Sequence, residues 1–93
     1  MNRTLLRSTA FVRAAKRLLK KHPEAAPILL DVFVTLAEDA FHPLLKTHKL
    51  KGEFSGLWAC SVGYDLRVVF EFIQHDGAEA IQLHTIGTHD EVY

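Results

Sequence analysis

Ninety-three residues, 48% of them hydrophobic and 24% charged, make one small domain with a single core and too little chain for a second. No charge-poor run approaches the roughly 18 residues that a membrane span needs, and no signal-peptide core opens the chain. The one cysteine cannot close an internal disulfide, which fits a reducing cytoplasm. Net charge is zero, yet residues 1–21 carry Arg3, Arg7, Arg13, Lys16, Arg17, Lys20 and Lys21 with no acid, whereas Arg67 is the only Arg or Lys after Gly52. That division marks either a surface facing a polyanion or a solvated helix face balanced elsewhere.

Arg3 to Arg7 is a candidate first strand, and Ser8 or Thr9 offers an N-cap for a helix. Phe11, Val12, Ala15, Leu18 and Leu19 recur at helical spacing, with Arg13, Lys16, Arg17 and Lys20 as a separate basic stripe. His22-Pro23 breaks this helix, because the residue before proline is pushed out of the α region. A second helix starts between Pro23 and Pro27 and runs through Leu36, Ala37 and Ala40; so short a connection predicts an antiparallel pair. Phe41 to Gly56 reads as a connection, in which His48-Lys49-Leu50-Lys51-Gly52 gathers a histidine and two lysines.

Leu57 to Phe72 predicts a hairpin turning at Gly63-Tyr64-Asp65, since aromatic and β-branched residues crowd both sides of the break. Val62 then faces Leu66, Cys60 faces Val68 and Trp58 faces Phe70. One face collects Trp58, Cys60, Val62, Leu66, Val68, Phe70 and Phe72, and the other Leu57, Ala59, Ser61, Arg67, Val69 and Glu71. A slip of one residue would mix the two sets, so the apolar pattern selects the pairing. The apolar face is the one the helices cover, with Cys60 a buried hydrophobe beneath them. His75-Asp76-Gly77 makes another turn and Ala80 to Ile86 a third strand, with His84 on Arg67's side if the parity carries across. Gly87 ends that strand, and Thr88 to Tyr93 closes the chain. The layout is α+β: an N-terminal antiparallel helix pair on a twisted, mainly antiparallel sheet.

His48, Asp65, Arg67, His84, His89 and Tyr93 are the candidates for chemistry. Each has a bland reading alone: a solvated histidine, an Arg67–Glu71 surface pair, an aromatic packing the C-terminus. Cysteine and histidine spacings give no CxxC, HxxxH or HxH, so no metal is expected. Together, at one sheet edge, the six suit RNA cleavage by the substrate's own 2′-hydroxyl. That reaction needs a base, a cation for the pentacovalent phosphate and an acid for the 5′-oxygen, and neither metal nor other cofactor.

HKLKG, GLW, YDLRVVFEF and the terminal IGTHDEVY resemble the RelE/ParE superfamily of bacterial toxin–antitoxin toxins, closest to its YafQ-like branch. The motifs span roughly residues 44–93, with the helix pair in the family's layout before them. The resemblance implies a small RelE-like fold and a cytoplasmic, ribosome-dependent endoribonuclease that cuts mRNA and is silenced by a cognate antitoxin. It places His48 at the histidine before x-Leu-x-Gly, Asp65 at the turn aspartate, His89 at the principal catalytic histidine and Tyr93 at the aromatic four residues later. Arg67 matches a phosphate-binding arginine of the RelE strand instead. Ser61 and Thr85 replace a histidine and an arginine of YafQ, and Ala59 and Ser61 replace two RelE lysines, which leaves His48 and His84 both open as the second proton-transfer group. Ribosomal RNA is expected on Arg13, Lys16, Arg17 and Lys20, with Lys49 and Lys51 further RNA contacts, and the antitoxin on the open face and C-terminal tail. The alternative on the same scaffold is a ParE-like gyrase poison or a module without nuclease chemistry.

Overall fold

A computed structural model describes residues 2–63 and 65–92. Its elements, in chain order, are β1 (Thr4–Arg7), α1 (Thr9–Lys21), α2 (Ala26–Glu38), β2 (His48–Lys49), β3 (Trp58–Val62), β4 (Leu66–His75), β5 (Ala78–Thr88) and α3 (His89–Val92), with single 3₁₀ turns at Pro23–Ala25, Pro43–Leu45 and Gly52–Phe54. The five strands form one sheet in the order β1-β5-β4-β3-β2. β1 runs parallel to β5 and the other pairs are antiparallel.

Local chemistry accounts for the helix ends. Ser8 caps α1, its Oγ accepting from the Phe11 N–H at 3.0 Å, while Lys20 and Lys21 in the last turn complement the helix dipole. His22 leaves the helix at φ −134°, ahead of Pro23. Pro27 lies in the first turn of α2, where a missing N–H costs nothing. α2 stops at Glu38, short of the predicted Ala40: Asp39 takes an extended φ of −153° and its Oδ1 accepts from the Phe41 N–H at 3.2 Å.

The hairpin has the register the apolar pattern selects, with Trp58, Cys60 and Val62 opposite Phe70, Val68 and Leu66. Cys60, Val62, Val68 and Phe70 join Phe11, Leu18, Leu29 and Leu36 of the helices in one buried core, and Trp58, Leu66 and Phe72 pack at its margin. Phe11 and Phe33 meet edge-on at 5.9 Å between ring centres, locking α1 to α2. Burial pushes the Cys60 thiol up to about 12, so it acts as a small hydrophobe.

Besides the earlier end of α2 and the short strand β2 within the predicted connection, three further features depart from the sequence reading. β5 runs from Ala78 to Thr88, so Gly87 lies within a strand instead of ending one. Between β4 and β5 the register shifts: Val69 pairs with Thr85 but Phe70 with Leu83, leaving His84 as an extra, bulged residue. Leu83 and Ile86, three residues apart, therefore both reach the core, and simple alternation does not carry across. His89–Val92, given no element in the sequence reading, form a helical turn, α3, folded back on the sheet.

Candidate active site

The face opposite the long helices is assembled in rows across the strands, since directly paired residues share a side of the sheet. One row is Ser61, Arg67 and Gly87; the next is His48, Ala59, Val69 and Thr85. Arg67 thus has a glycine on one flank and a serine on the other. Its guanidinium, half-buried, donates to the Leu66 carbonyl at 2.9 Å. Glu71, the ion-pair partner expected from spacing, lies 3.9 Å from His84 Nε2.

α3 covers part of this face, and its start is written in four residues. Thr88 Oγ1 accepts from the Glu91 N–H at 3.3 Å, and Glu91 Oε1 accepts from the Thr88 N–H at 2.8 Å. This is a reciprocal capping box, Thr-x-x-Glu, a helix-start signal that the strand pattern before it obscures. The Thr88 N–H and then the Thr88 hydroxyl, both hydrogen-bonding to the carboxylate, ahead of the nearby positive charges of Lys21 and Arg17, hold the Glu91 carboxyl below its ordinary range. At its other end Val92 is buried against Ala59 and Val69, with Leu50 and Leu57 beside them. Gly87 lets the turn approach: a Cβ there would meet Glu91 Cβ and Val92 Cγ1 at 3.2 Å.

The predicted residues separate into two groups. His89 opens α3 directly after Thr88, which pairs with Leu66, so it starts at the sheet end that carries Asp65 and Arg67. His89 is 57% exposed, with Nδ1 3.7 Å from Asp90 Oδ1. His48 closes the opposite side of the face on β2. Its Nδ1 is 2.9 Å from the Lys46 carbonyl, which can only accept; in the neutral ring that proton sits on Nδ1 and the basic lone pair on Nε2. Two strand spacings, about 10 Å, separate β2 from β4. His84 is on Arg67's side of the sheet, as expected, but further along β4: the bulge sets it beside Glu71, and the Ser8 hydroxyl donates to its backbone carbonyl at 3.2 Å. Tyr93 lies outside the described residues.

The cationic residues likewise divide. Arg13, Lys16, Arg17 and Lys20 are all exposed along α1, but Arg17 together with Lys21 and His22 borders Gly87, Thr88 and Glu91. Lys21 and His22 escape a sequence reading because a helical-wheel stripe does not say which flank of the helix meets the site. Lys49 lies over the Trp58 ring at 5.4 Å, at the margin of the helix-covered face, and Lys51 is exposed before the 3₁₀ turn. Among the described residues no three His, Cys, Asp or Glu gather where they could hold a metal ion, and no helix is long and apolar enough to cross a membrane.

No curated protein sequence matches the chain. Its fold is shared by solved toxins: YafQ from E. coli strain BL21(DE3), at 18% identity over 98% of each chain with a TM-score of 0.79, and the toxin of the E. coli DinJ-YafQ toxin–antitoxin complex, at 19% identity over 100% of this chain and 99% of that one with a TM-score of 0.77. A metal-bound toxin from Helicobacter pylori is 26% identical over the full length of both chains, with a TM-score of 0.78. The family model described as a bacterial toxin of a type II toxin–antitoxin system, YafQ, matches residues 3–93. With nearly the whole chain matched, the protein belongs to the YafQ family of type II toxin–antitoxin toxins within the RelE/ParE superfamily.

Proposed function

We propose that this toxin is an mRNA endoribonuclease that works on the ribosome by activating the substrate's 2′-hydroxyl. The observation that carries the reading is Arg67 on the open face, with only the small Ser61 on its β3 flank, between His48 on β2 and His89 at the start of α3. Arg67 stabilises the negative charge that develops on the pentacovalent phosphorus. His48, with its basic lone pair directed to Nε2, takes the 2′-hydroxyl proton. His89, at the start of α3, donates a proton to the departing 5′-oxygen. Tyr93 is assigned to positioning the base or ribose, and His84 is left a supporting place beside Glu71.

The partners follow from the same reading. The exposed cations of α1 hold ribosomal RNA, with Lys49 and Lys51 contributing from the β2 edge, and the open face meets mRNA. The E. coli DinJ-YafQ complex supports a cognate antitoxin for this chain as well, one that acts by covering the open face or displacing α3. The test is single-turnover cleavage of ribosome-bound mRNA by the wild type, His89→Ala and Arg67→Ala, set beside a gyrase supercoiling assay. Cleavage lost in both variants, with ribosome binding retained, supports the nuclease. Wild-type rates in His89→Ala, or gyrase inhibition without cleavage, would remove it.

A further inference from the structure

Two recesses adjoin at the end of the sheet where α1 gives way to α2. One, of about 250 Å³, lies between the last turns of α1 and α3 and is bordered by Arg17, Lys21 and Glu91. The other, of about 310 Å³, has an apolar floor of Ala25, Ile28, Val62 and Leu66, with Asp65 and Glu24 at its rim. His22 and Thr88 border both, so the two form one groove, basic at one end and apolar at the other. The groove is continuous with the candidate site, because Thr88 precedes His89 and pairs with Leu66, the neighbour of Arg67.

We propose that this groove binds one nucleotide of the single-stranded RNA being cut, its phosphate at Arg17 and Lys21 and its base over Ile28. The inference rests on the nuclease reading for the identity of the RNA, but not for the binding itself. Charge supports the division of labour. At the basic end two cations face one carboxylate, and that carboxylate is already engaged by the Thr88 N–H. At the apolar end the Ile28 side chain is left partly uncovered, the residue being 47% exposed, which gives a base a surface to lie on. The carboxylates there favour a base edge that donates. A single carboxylate accepts two adjacent N–H groups, and guanine is the RNA base that presents such a pair, at N1 and N2. Asp65 is the nearer of the two acids to the candidate site and is placed to read that edge; Glu24 is 3.6 Å from His22 Nδ1.

The binding test titrates the full-length protein with guanosine 5′-monophosphate and follows backbone amides by NMR. Saturable shifts at Lys21, His22 and Ile28, weaker with uridine 5′-monophosphate, are expected. Ile28→Asp and Lys21→Gln, both at exposed positions, should each weaken binding about tenfold, as removal of one good charged or packed interaction does. Shifts absent, or centred elsewhere on the protein, would overturn the groove, as would unchanged affinity in both variants. The source of the nucleotide is read on the ribosome, with a photo-crosslinking phenylalanine analogue replacing Ile28. Crosslinks to mRNA are expected, and crosslinks to ribosomal RNA alone would overturn the substrate assignment. Cleavage is scored separately. Wild-type cleavage with no groove binding removes the groove and keeps the nuclease, whereas groove binding without wild-type cleavage keeps the groove and removes the nuclease.

Discussion

Arg67 and Gly87 pair across two central strands, and they serve different needs. The glycine is bare so that α3 can pass over it, while the arginine keeps only the small Ser61 on its other flank. Removing the guanidinium should lower single-turnover cleavage by about 10²–10³-fold, as loss of one transition-state donor does, and His89→Ala by about 10²–10⁴-fold, the range for a missing acid or base. Both variants should bind ribosomes normally, since neither residue lies on the cationic face of α1. Cys60 contributes nothing to this chemistry: buried, with its thiol pushed up to about 12, it should stay unmodified by thiol reagents until the protein unfolds.

α3 is only four residues long, too short to hold its shape without its neighbours. It persists through the Thr88–Glu91 capping box at one end and Val92 burial at the other. Gly87→Ala should displace it by forcing a Cβ against Glu91 and Val92, costing about 1–3 kcal/mol and reducing cleavage while the long helices remain intact. Faster hydrogen exchange confined to residues 88–92, with unchanged far-ultraviolet circular dichroism, is the expected signature. The capping box also makes the turn sensitive to acid. Glu91's carboxyl is held below its ordinary value of 4.5 in the folded state, so its stabilisation is fully present above that value. It is lost as pH falls through the lower, folded value, and amide exchange in α3 should accelerate there. In Glu91→Gln that acid step should disappear.

At the scale of the molecule, the helices and the open sheet face divide the work. α1 carries Arg13, Lys16, Arg17 and Lys20 outward while Phe11 and Leu18 hold it to the core, so one helix serves both packing and electrostatics. Replacing all four cations by alanine should weaken ribosome binding and flatten its log–log salt dependence by about 0.7–0.9 for each phosphate no longer neutralised. Stability should change little, because none of the four is buried. An unchanged salt slope would mark the stripe as solvent-facing only. The core behaves in the opposite sense: Leu36, fully buried between helix and sheet, should cost about 2–5 kcal/mol on truncation to alanine, with no effect on the salt slope.

Elements whose pattern is local are legible in the chain before it folds. Alternation from Trp58 to Phe72 admits one register, because a one-residue slip would put Arg67 in the core and Phe70 in water. Helical spacing and the two prolines likewise determined the helix pair and its break at His22. Tertiary structure alone decided the rest. A bulge is invisible to periodicity, since nothing at Leu83-His84-Thr85 announces that one residue on β5 will lack a partner on β4; only the pairing reveals that His84 turns to Glu71. The two-residue strand of His48 and Lys49 is too short to have a period, and exists because β3 offers it an edge. Thr-x-x-Glu could have signalled α3, but its direction across the sheet depends on the bare Gly87 and on the apolar patch of Ala59 and Val69, far apart in sequence. Arg17, Lys21 and Asp65 share a groove for the same reason: side chains from distant segments meet only when the core beneath them has closed.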